Sequence, residues 1–370
     1  MRSTSMAFIQ IFRMAQSGQM RAVFQLAHSR YGRATLSGEM NTAMHTTRHF
    51  ARLGICAVAF LILVSACQRD ADPTAALAWA YPHGPTSTFG QPLGAGPFHV
   101  PGSTLVLSRA QVEEASGPID WHPQDHPPAP PVVRGPGRAA LTPCAECHLL
   151  NGAGFPASAD LTGLPADYII EQVMAFRSGA RRSTARGQPN TAEMIKVAKA
   201  VSPAELRQAA EYFARLPRSR WVKVVESATV PRTYPDKYGW LNLAPGGGTE
   251  PIGDRLVEVS ENLPRMMIGD DHVMLIDYAP PGAIGRGRRV VMTGGGAGVP
   301  CQSCHGRRLG GVGAVPPIAG RPGGYLARTL WDIRTGARSN PGVAPMKAVS
   351  KGLSPAEIRD VSAYLASLRS

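Results

Sequence analysis

The pentapeptide Cys144-Ala145-Glu146-Cys147-His148 returns later in the chain as Cys301-Gln302-Ser303-Cys304-His305. Both copies have the pattern Cys-x-x-Cys-His, at a register difference of 157 residues. One such pentapeptide can arise by chance. Two copies, each followed by further matching residues at equal spacing, indicate a duplicated unit.

The match continues well beyond the two pentapeptides. The corresponding pairs, with the first unit named first, are Tyr168 and Tyr325, residues 177–181 and 334–338, Met194 and Met346, and residues 202–206 and 354–358. Five extra residues precede Met194 in the first unit, so the later pairs are offset by 152 residues. The sequence therefore predicts two tandem domains with the same fold.

The Cys-x-x-Cys-His pattern is typical of covalent haem attachment. Its two thiols form thioethers to the vinyl groups of one porphyrin, and the adjacent histidine lies under the iron as an axial ligand. A zinc site or a redox dithiol is the alternative for a Cys-x-x-Cys pair, but neither needs a histidine after both pairs. We therefore expect two covalently bound haem c groups. The predicted attachment residues are Cys144, Cys147, Cys301 and Cys304, with His148 and His305 as axial ligands.

Met194 and Met346 are the candidates for the opposite face of each iron. They occupy equivalent positions of the repeat, in what we expect to be a loop before the last helix of each unit. Met174 is the other candidate in the first unit, but it aligns with Trp331 and has no counterpart. A methionine thioether gives a six-coordinate haem of raised potential, whereas an open face binds small ligands.

The N-terminal region resembles an export signal. Residues 53–66 form an apolar stretch that is too short for a comfortable membrane span and suits a secretory signal, although a membrane anchor is the alternative. The end of this stretch, residues 63–67, resembles a lipobox, with Cys67 as the lipidation site and Cys56 inside the removed segment. We expect a signal peptide over residues 44–66, while residues 1–43 are an over-extended or uninterpreted leader.

This signal predicts an exported protein in the periplasm, lipid-anchored at the outer membrane, or soluble in the periplasm if Cys67 is not lipidated. The formal net charge is +13, and residues 1–66 contribute seven arginines and one acidic residue to it. Much of the basic excess therefore lies in the segment expected to be removed. Because an exported haem protein does not meet nucleic acid, redox proteins are the expected partners, and neither nucleic acid nor a small-molecule substrate is expected.

The periodicity predicts small helical domains. Ser202 and Ser354 each begin a Ser-Pro-x-Glu capping pattern that starts a last helix. Second helices are expected over 167–178 and 325–335, each ended by a C-cap glycine. The predicted segments are an extended N-terminal arm (67–130), a first domain (131–218), a connector (219–282) and a second domain (283–370). The connector contains short alternating stretches, which we interpret as short strands or an irregular linker without chemistry of its own.

Together these motifs resemble class I c-type cytochromes, duplicated as in the di-haem members. The resemblance implies a mostly α fold of two tandem cytochrome c-like helical domains, with His/Met-ligated haem and a role in passing single electrons. One departure concerns the first unit, which has Ala159-Asp160-Leu161 where the second has Pro316-Pro317-Ile318. Which carbonyl orients His148 is therefore left open.

The leading hypothesis is an electron carrier that performs no substrate chemistry. The runner-up is a peroxidase-like di-haem enzyme with one open iron, in which His122, His126 or His272 acts as an acid/base group or alternative ligand. The alternative is that these histidines lie on the surface or in the arm and have no chemical role. A third hypothesis is an electron-accepting subunit of a dehydrogenase or oxidase. Four arginines lie in or near the matching segments 177–181 and 334–338. They either contact haem propionates or a partner protein, or lie on the solvated surface: Arg181, Arg182, Arg186 and Arg338.

Overall fold

The computed structural model describes residues 72–85, 93–115, 117–136, 141–218 and 221–369. Residues Asp72–Ser370 form one compact unit. The α-helices are α1 (Arg109–Glu113), α2 (Pro131–Arg134), α3 (Ala145–His148), α4 (Ala166–Ser178), α5 (Pro189–Ala200), α6 (Pro203–Arg215), α7 (Leu263–Met267), α8 (Ala283–Thr293), α9 (Gln302–His305), α10 (Gly323–Thr335), α11 (Ala344–Gly352) and α12 (Pro355–Ser367). The strands are β1 (Val222–Glu226), β2 (Thr229–Pro231), β3 (Thr233–Pro235), β4 (Leu241–Leu243), β5 (Thr249–Pro251), β6 (Val257–Ser260) and β7 (Leu275–Ala279).

The last helix of each repeat begins as the sequence predicts. Ser202 and Ser354 both form complete capping boxes, in which the serine side chain accepts a hydrogen bond from the backbone three residues on and the glutamate there accepts one in return. The preceding long helices, α4 and α10, end at Gly179 and Gly336 in the left-handed conformation, with φ of 79° and 82°. Glycine adopts this conformation without the strain that a Cβ introduces.

Each repeat has its own apolar core, formed mainly by its last helix against its long helix. In the first repeat (residues 131–218), Leu206, Ala210 and Phe213 of α6 are buried together with Ile169 of α4. In the second repeat (residues 283–370), the corresponding stripe of α12 is buried against α10 and α8. In each repeat the buried residues of the last helix therefore lie on the side that faces the core.

Backbone hydrogen bonds also repeat at the offset of the sequence match. The amides of Gly154 and Gly311 donate to the carbonyls of His148 and His305, both at 3.0 Å. Arg177 and Arg334 each extend from the long helix to the carbonyls at the end of the methionine-bearing helix. These equivalent bonds hold the Cys-x-x-Cys-His helix and the methionine-bearing helix in the same local framework in both repeats.

The connector forms short strands that pair into a sheet, which agrees with the first of the two interpretations of its sequence. Five strands pair in the order β1-β7-β6-β4-β3, and β2 pairs with β5 separately. Strands β1 and β7 pair in parallel and align Val222 with Leu275. One reason that periodicity did not predict the sheet is that several of its strands are only three residues long.

The described part of the arm packs on two different parts of the unit. A 3-10 helix, Ala75–Ala80, buries Leu77 in the core of the second repeat. Further along, Trp121 is buried, and its Nε1–H donates to the carbonyl of Ile268 in the connector at 2.7 Å. The arm thus packs against both the second repeat and the connector.

The two repeats join through two equivalent turns, residues 177–181 and 334–338, which both have the sequence Arg-x-Gly-Ala-Arg. Arg181 and Arg338 form an antiparallel bridge between the turns, and the amide of Arg182 donates to the carbonyl of Ala337 at 2.8 Å. A second joint is the buried ion pair of Arg321 with Asp160, at 2.7 Å. Polar contacts of this kind fix the two repeats against each other.

Among the residues described, no helix combines the length and apolar character that crossing a bilayer requires. The expected leader (1–43), the signal peptide (44–66), Cys56 and the lipidation site Cys67 lie outside the described residues.

Candidate haem sites

The first Cys-x-x-Cys-His motif forms a single helical turn, α3. Cys144 caps this turn, and the helix ends at His148, which is buried at 9 % exposure. The His148 Nδ1 atom lies 2.8 Å from the carbonyl oxygen of Ala159. Because a carbonyl only accepts, Nδ1 carries the proton and the other ring nitrogen, Nε2, holds a lone pair. Ala159 is therefore the residue that orients His148, which the sequence had left open.

The second motif reproduces this geometry in α9. His305 is buried, and its Nδ1 atom lies 2.8 Å from the carbonyl oxygen of Pro316. Ala159 and Pro316 stand 11 residues after their histidines, so the same backbone position performs the same task in both repeats. A ligating histidine commonly donates its other ring N–H to such a carbonyl, which fixes the ring orientation and raises its basicity.

Burial keeps both histidines neutral. It lowers the pKa of His148 and of His305, and the hydrogen bonds to the two carbonyls oppose it only in part. Burial also raises the pKa of the Cys144 thiol to about 12 and of the Cys147 thiol to about 11. A neutral imidazole with a free lone pair is the form that coordinates a metal.

A cavity of about 880 Å³ lies beside the first motif. Both cysteines of that motif, His148 and Met194 line it, and they share it with apolar side chains of α4 and α6. The described arm, connector and second repeat also line it, through residues such as Tyr81, Trp240 and Tyr325. A large, mostly apolar cavity with two thiols and a neutral imidazole fits covalently bound haem.

The structure brings Met194 to the cavity and leaves Met174 outside its lining. Met174 is 43 % exposed on α4, whereas Met194 is half-buried. Met194 and Met346 were expected in loops, but they lie in the helices α5 and α11. Helix α5 has 12 residues and α11 has 9, and α11 is preceded by a 3-10 turn. Whether both sulfurs bind iron stays a prediction.

A polar cluster joins the two repeats at the edge of this cavity. Arg338 donates to the Tyr168 hydroxyl at 2.7 Å and to Gln172 at 2.8 Å, while Arg181 is hydrogen-bonded to Tyr325. Each tyrosine thus pairs with the arginine of the other repeat. Burial opposes ionisation of Tyr325, but the charges of Arg181 and Arg338 outweigh it and lower the pKa to about 8. Of the two other arginines singled out in the sequence, Arg182 lines the cavity, and both Arg182 and Arg186 are exposed.

This cluster contains buried hydrogen-bond donors that remain unpaired among the described residues. Arg338 Nε and Gln172 Nε2 are buried donors without a partner among the described residues. Burial and the charge of Arg338 lower the pKa of Arg181, so the two guanidinium groups destabilise each other. An anionic group beside them would relieve that repulsion. The propionates of haem have the charge and the acceptors that this edge lacks.

The three histidines of the peroxidase hypothesis lie elsewhere. His122, His126 and His272 are absent from the residues that line the cavity, and they gather instead around Asp270 and Asp271. The alternative, a surface or arm location, describes His122 only in part, because this residue of the arm is only 1 % exposed. Sequence reasoning missed the connector residues that line the cavity, among them Lys237 and Trp240. They belong to no repeat, so the internal match contained no signal for them.

Comparisons with known proteins place these features in a family. The family model described as Cytochrome c matches residues 286–369. A thiosulfate dehydrogenase electron acceptor of Stutzerimonas stutzeri (strain A1501) is 37 % identical over 242 residues, which cover 64 % of this chain and 83 % of that protein. A protein of the same description from Thiomonas intermedia (strain K12) is 25 % identical over 229 residues, covering 60 % and 77 %.

Two solved structures are also similar. Thiosulfate dehydrogenase (TsdBA) from Marichromatium purpuratum is 26 % identical with a TM-score of 0.40, and the match covers 61 % of this chain but only 36 % of that one. Cytochrome c4 of Acidithiobacillus ferrooxidans is 22 % identical with a TM-score of 0.39, covering 61 % and 98 %.

Helical repeats built on Cys-x-x-Cys-His turns define proteins that bind haem covalently, and the match to the Stutzerimonas protein extends over most of that relative. The chain belongs to the class I c-type cytochromes. It is an electron-transfer cytochrome with covalently bound haem c.

Proposed function

We propose that this chain is a di-haem electron carrier, with one haem in each repeat. The observation that carries the proposal is the repeated histidine geometry, in which His148 and His305 donate Nδ1–H at 2.8 Å to a carbonyl 11 residues further on. Haem supplies single-electron transfer when bound. The chain supplies the thiols, an oriented neutral imidazole and a mostly apolar pocket.

Met194 and Met346 are the proposed sixth ligands. Met194 shares the cavity with His148, and Met346 occupies the equivalent helix of the second repeat. Arg177 and Arg334 support this assignment indirectly, because each donates to carbonyls at the end of its methionine-bearing helix and so holds that helix in place. A thioether at each iron would leave no open face and would raise the potential of both haems.

The joint between the repeats suits electron transfer inside the chain. Tyr168 pairs with Arg338 and Tyr325 pairs with Arg181, so residues of both repeats meet at the edge of the cavity beside the first motif. The unpartnered Arg338 Nε and Gln172 Nε2 would hold the acidic edge of haem. We propose that this joint keeps the two haem groups at a fixed mutual position.

The proposed partner is a dehydrogenase that delivers single electrons. Two relatives are described as electron acceptors of thiosulfate dehydrogenase, which favours this hypothesis over a free carrier between unspecified proteins. The peroxidase alternative has less support, since its three candidate histidines do not line the cavity of the first repeat. We further propose an exported, periplasmic protein anchored to the outer membrane by lipid at Cys67, or soluble in the periplasm without that lipid.

The number of haem groups is tested by intact-mass spectrometry of protein matured with haem. We expect two haem masses on the wild type. The double variants Cys144→Ser/Cys147→Ser and Cys301→Ser/Cys304→Ser should each lose one haem and keep the other. A wild type with a single haem, or a double variant that keeps both, would overturn the di-haem proposal.

A further inference from the structure

A cluster of histidines and aspartates lies outside the lining of the haem cavity, where the arm meets the connector. His122 comes from the arm, while Asp271 and His272 come from the turn after α7. One ring nitrogen of each histidine and one carboxylate oxygen of Asp271 lie within 4.8 Å of one another. None of these three residues has a role in the proposed electron transfer.

We propose that His122, Asp271 and His272 bind one divalent transition-metal ion, Zn²⁺ by its chemistry. Two imidazoles and one carboxylate are ligands that suit Zn²⁺, which takes nitrogen and oxygen donors at a tetrahedral centre and accepts water as a fourth ligand. Mg²⁺ and Ca²⁺ prefer oxygen donors and do not fit this set.

Two atoms of the cluster are buried without a hydrogen-bond partner. His122 is 1 % exposed and Asp271 is 6 % exposed, yet His122 Nδ1 and Asp271 Oδ1 have no partner among the described residues. Asp271 Oδ1 lies 4.0 Å from His122 Nε2, so it faces the histidine without bonding to it. Leaving such groups unsatisfied destabilises the fold unless something binds them.

The negative charges around the cluster favour binding of a divalent cation. His126 forms an ion pair with Asp120 at 3.2 Å, and its hydrogen bond to that carboxylate raises its pKa. Three other carboxylates remain, those of Asp125, Asp270 and Asp271, and Arg265 is the ion-pair partner of Asp270.

The other two histidines of the cluster lie against each other. The rings of His122 and His272 stack at 3.5 Å with an angle of 3° between their planes, so two positive charges there would repel each other. A divalent ion together with Arg265 would balance the three carboxylates.

Carboxylates also lie where they support metal-bound histidines. Asp270 Oδ1 is 3.3 Å from His122 Nε2, and Asp125 Oδ2 is 2.6 Å from His272 Nε2. A histidine that donates one N–H to a carboxylate presents its other nitrogen, as a lone pair, to a metal. Because the lone pairs of stacked rings run parallel, coordination requires one ring to turn. His272 is the ring proposed to turn, because its side chain is 43 % exposed whereas that of His122 is buried.

The ion would fasten the arm to the rest of the unit. Asn151, three residues after His148, donates to the Asp271 carbonyl at 2.6 Å, and the ring of His126 contacts Tyr212 of α6 edge-on. Metal bound at His122 and His272 would therefore link the arm to the connector, directly behind the first repeat. We expect Zn²⁺ to raise the melting temperature of the protein, because it binds only the folded arrangement.

The test is isothermal titration calorimetry of haem-loaded, chelator-treated protein with Zn²⁺. We expect one Zn²⁺ per chain with a micromolar or tighter Kd, and at least about tenfold weaker binding in His272→Ala and in Asp271→Asn, as loss of a supporting contact alone causes in metal sites. His99→Ala is the matched control, since His99 is an exposed histidine of the same arm, and its Kd should equal that of the wild type.

The haem absorption spectrum verifies folding of each variant, and His272→Ala removes an exposed side chain, so it remains informative if Asp271→Asn does not fold. Absence of Zn²⁺ binding to the wild type would overturn the proposal. Equal affinity in the wild type and His272→Ala would also overturn it, because the ion would then bind elsewhere. Neither result bears on the number of haem groups.

Discussion

At the scale of single residues, the joint between the repeats depends on a buried arginine. Arg321 is 2 % exposed and forms an ion pair with Asp160, which lies next to the residue that orients His148. Its guanidinium also donates to the carbonyls of Asp160 and Thr162. A cation in such a place is tolerated only while its partner is charged.

Asp160→Asn keeps hydrogen-bond acceptors for Thr162 but removes the charge opposite Arg321. We expect it to lower the free energy of unfolding by about 3–5 kcal/mol, since it leaves an uncompensated buried cation. Glu211→Gln on α6 is the control, because its partner Arg215 is 73 % exposed and the loss should stay below about 1 kcal/mol. Denaturant unfolding measures both, and equal effects would contradict the assignment.

Asp277 provides a pH-dependent contribution to stability. It lies fully buried in β7, and burial together with the charge of Glu258 raises its pKa well above the ordinary value of 3.8. The folded state therefore keeps a proton that the unfolded chain releases. Stability is lost as the pH rises from 3.8 through the folded pKa.

Asp277→Asn removes this titration and keeps an oxygen that accepts the hydrogen bond of the Gly323 amide, which is 2.8 Å long in the wild type. We expect the variant to be more stable than the wild type at pH 8, and the difference should shrink toward pH 4. Thermal unfolding at several pH values measures it. A difference that does not change with pH would refute the explanation.

At the scale of elements, α8 and α12 approach closely at one glycine. A Cβ on Gly287 would lie 2.0 Å from the carbonyl oxygen of Asp360, whereas a Cβ on Gly285, one half-turn earlier, meets nothing within 4 Å. Both glycines lie inside α8, so their helix propensities are the same.

Gly285→Ala should therefore stabilise the protein by up to about 1 kcal/mol, the difference in helix propensity between the two residues. Gly287→Ala should destabilise it, because the backbone of α12 must move to admit the methyl group. Melting temperatures of the two variants test the pair. Similar shifts of the same sign would show that the close approach of the two helices is absent.

The same scale shows how far the sequence predicts the fold. Capping serines and C-cap glycines located the ends of the long helices, because these signals are local. The pairing of the connector strands and the helices that carry Met194 and Met346 were not predicted, and strands of only three residues have little periodicity. The crossed pairs of Tyr168 with Arg338 and Tyr325 with Arg181 needed the tertiary arrangement, although all four residues were visible in the repeat.

At the scale of the whole molecule, the two repeats are parts of one compact unit. The bridge between Arg181 and Arg338 and the ion pair of Arg321 with Asp160 join them, and the arm packs on the second repeat and the connector. The proposed carrier with two haem groups would need this rigidity, because the protein's part in cofactor chemistry is to hold the cofactors in place.

The central claim is that both haem groups have a methionine ligand. It is tested most directly by the absorption spectrum of the oxidised, haem-loaded protein, through the weak long-wavelength band of Met-ligated ferric haem. We expect Met194→Ala and Met346→Ala each to remove about half of this band, as two equivalent His/Met sites require. Met174→Ala, which changes an exposed methionine, should leave it intact. If either Met194→Ala or Met346→Ala leaves the band unchanged, that methionine is not a ligand and the account of two His/Met haem groups is wrong.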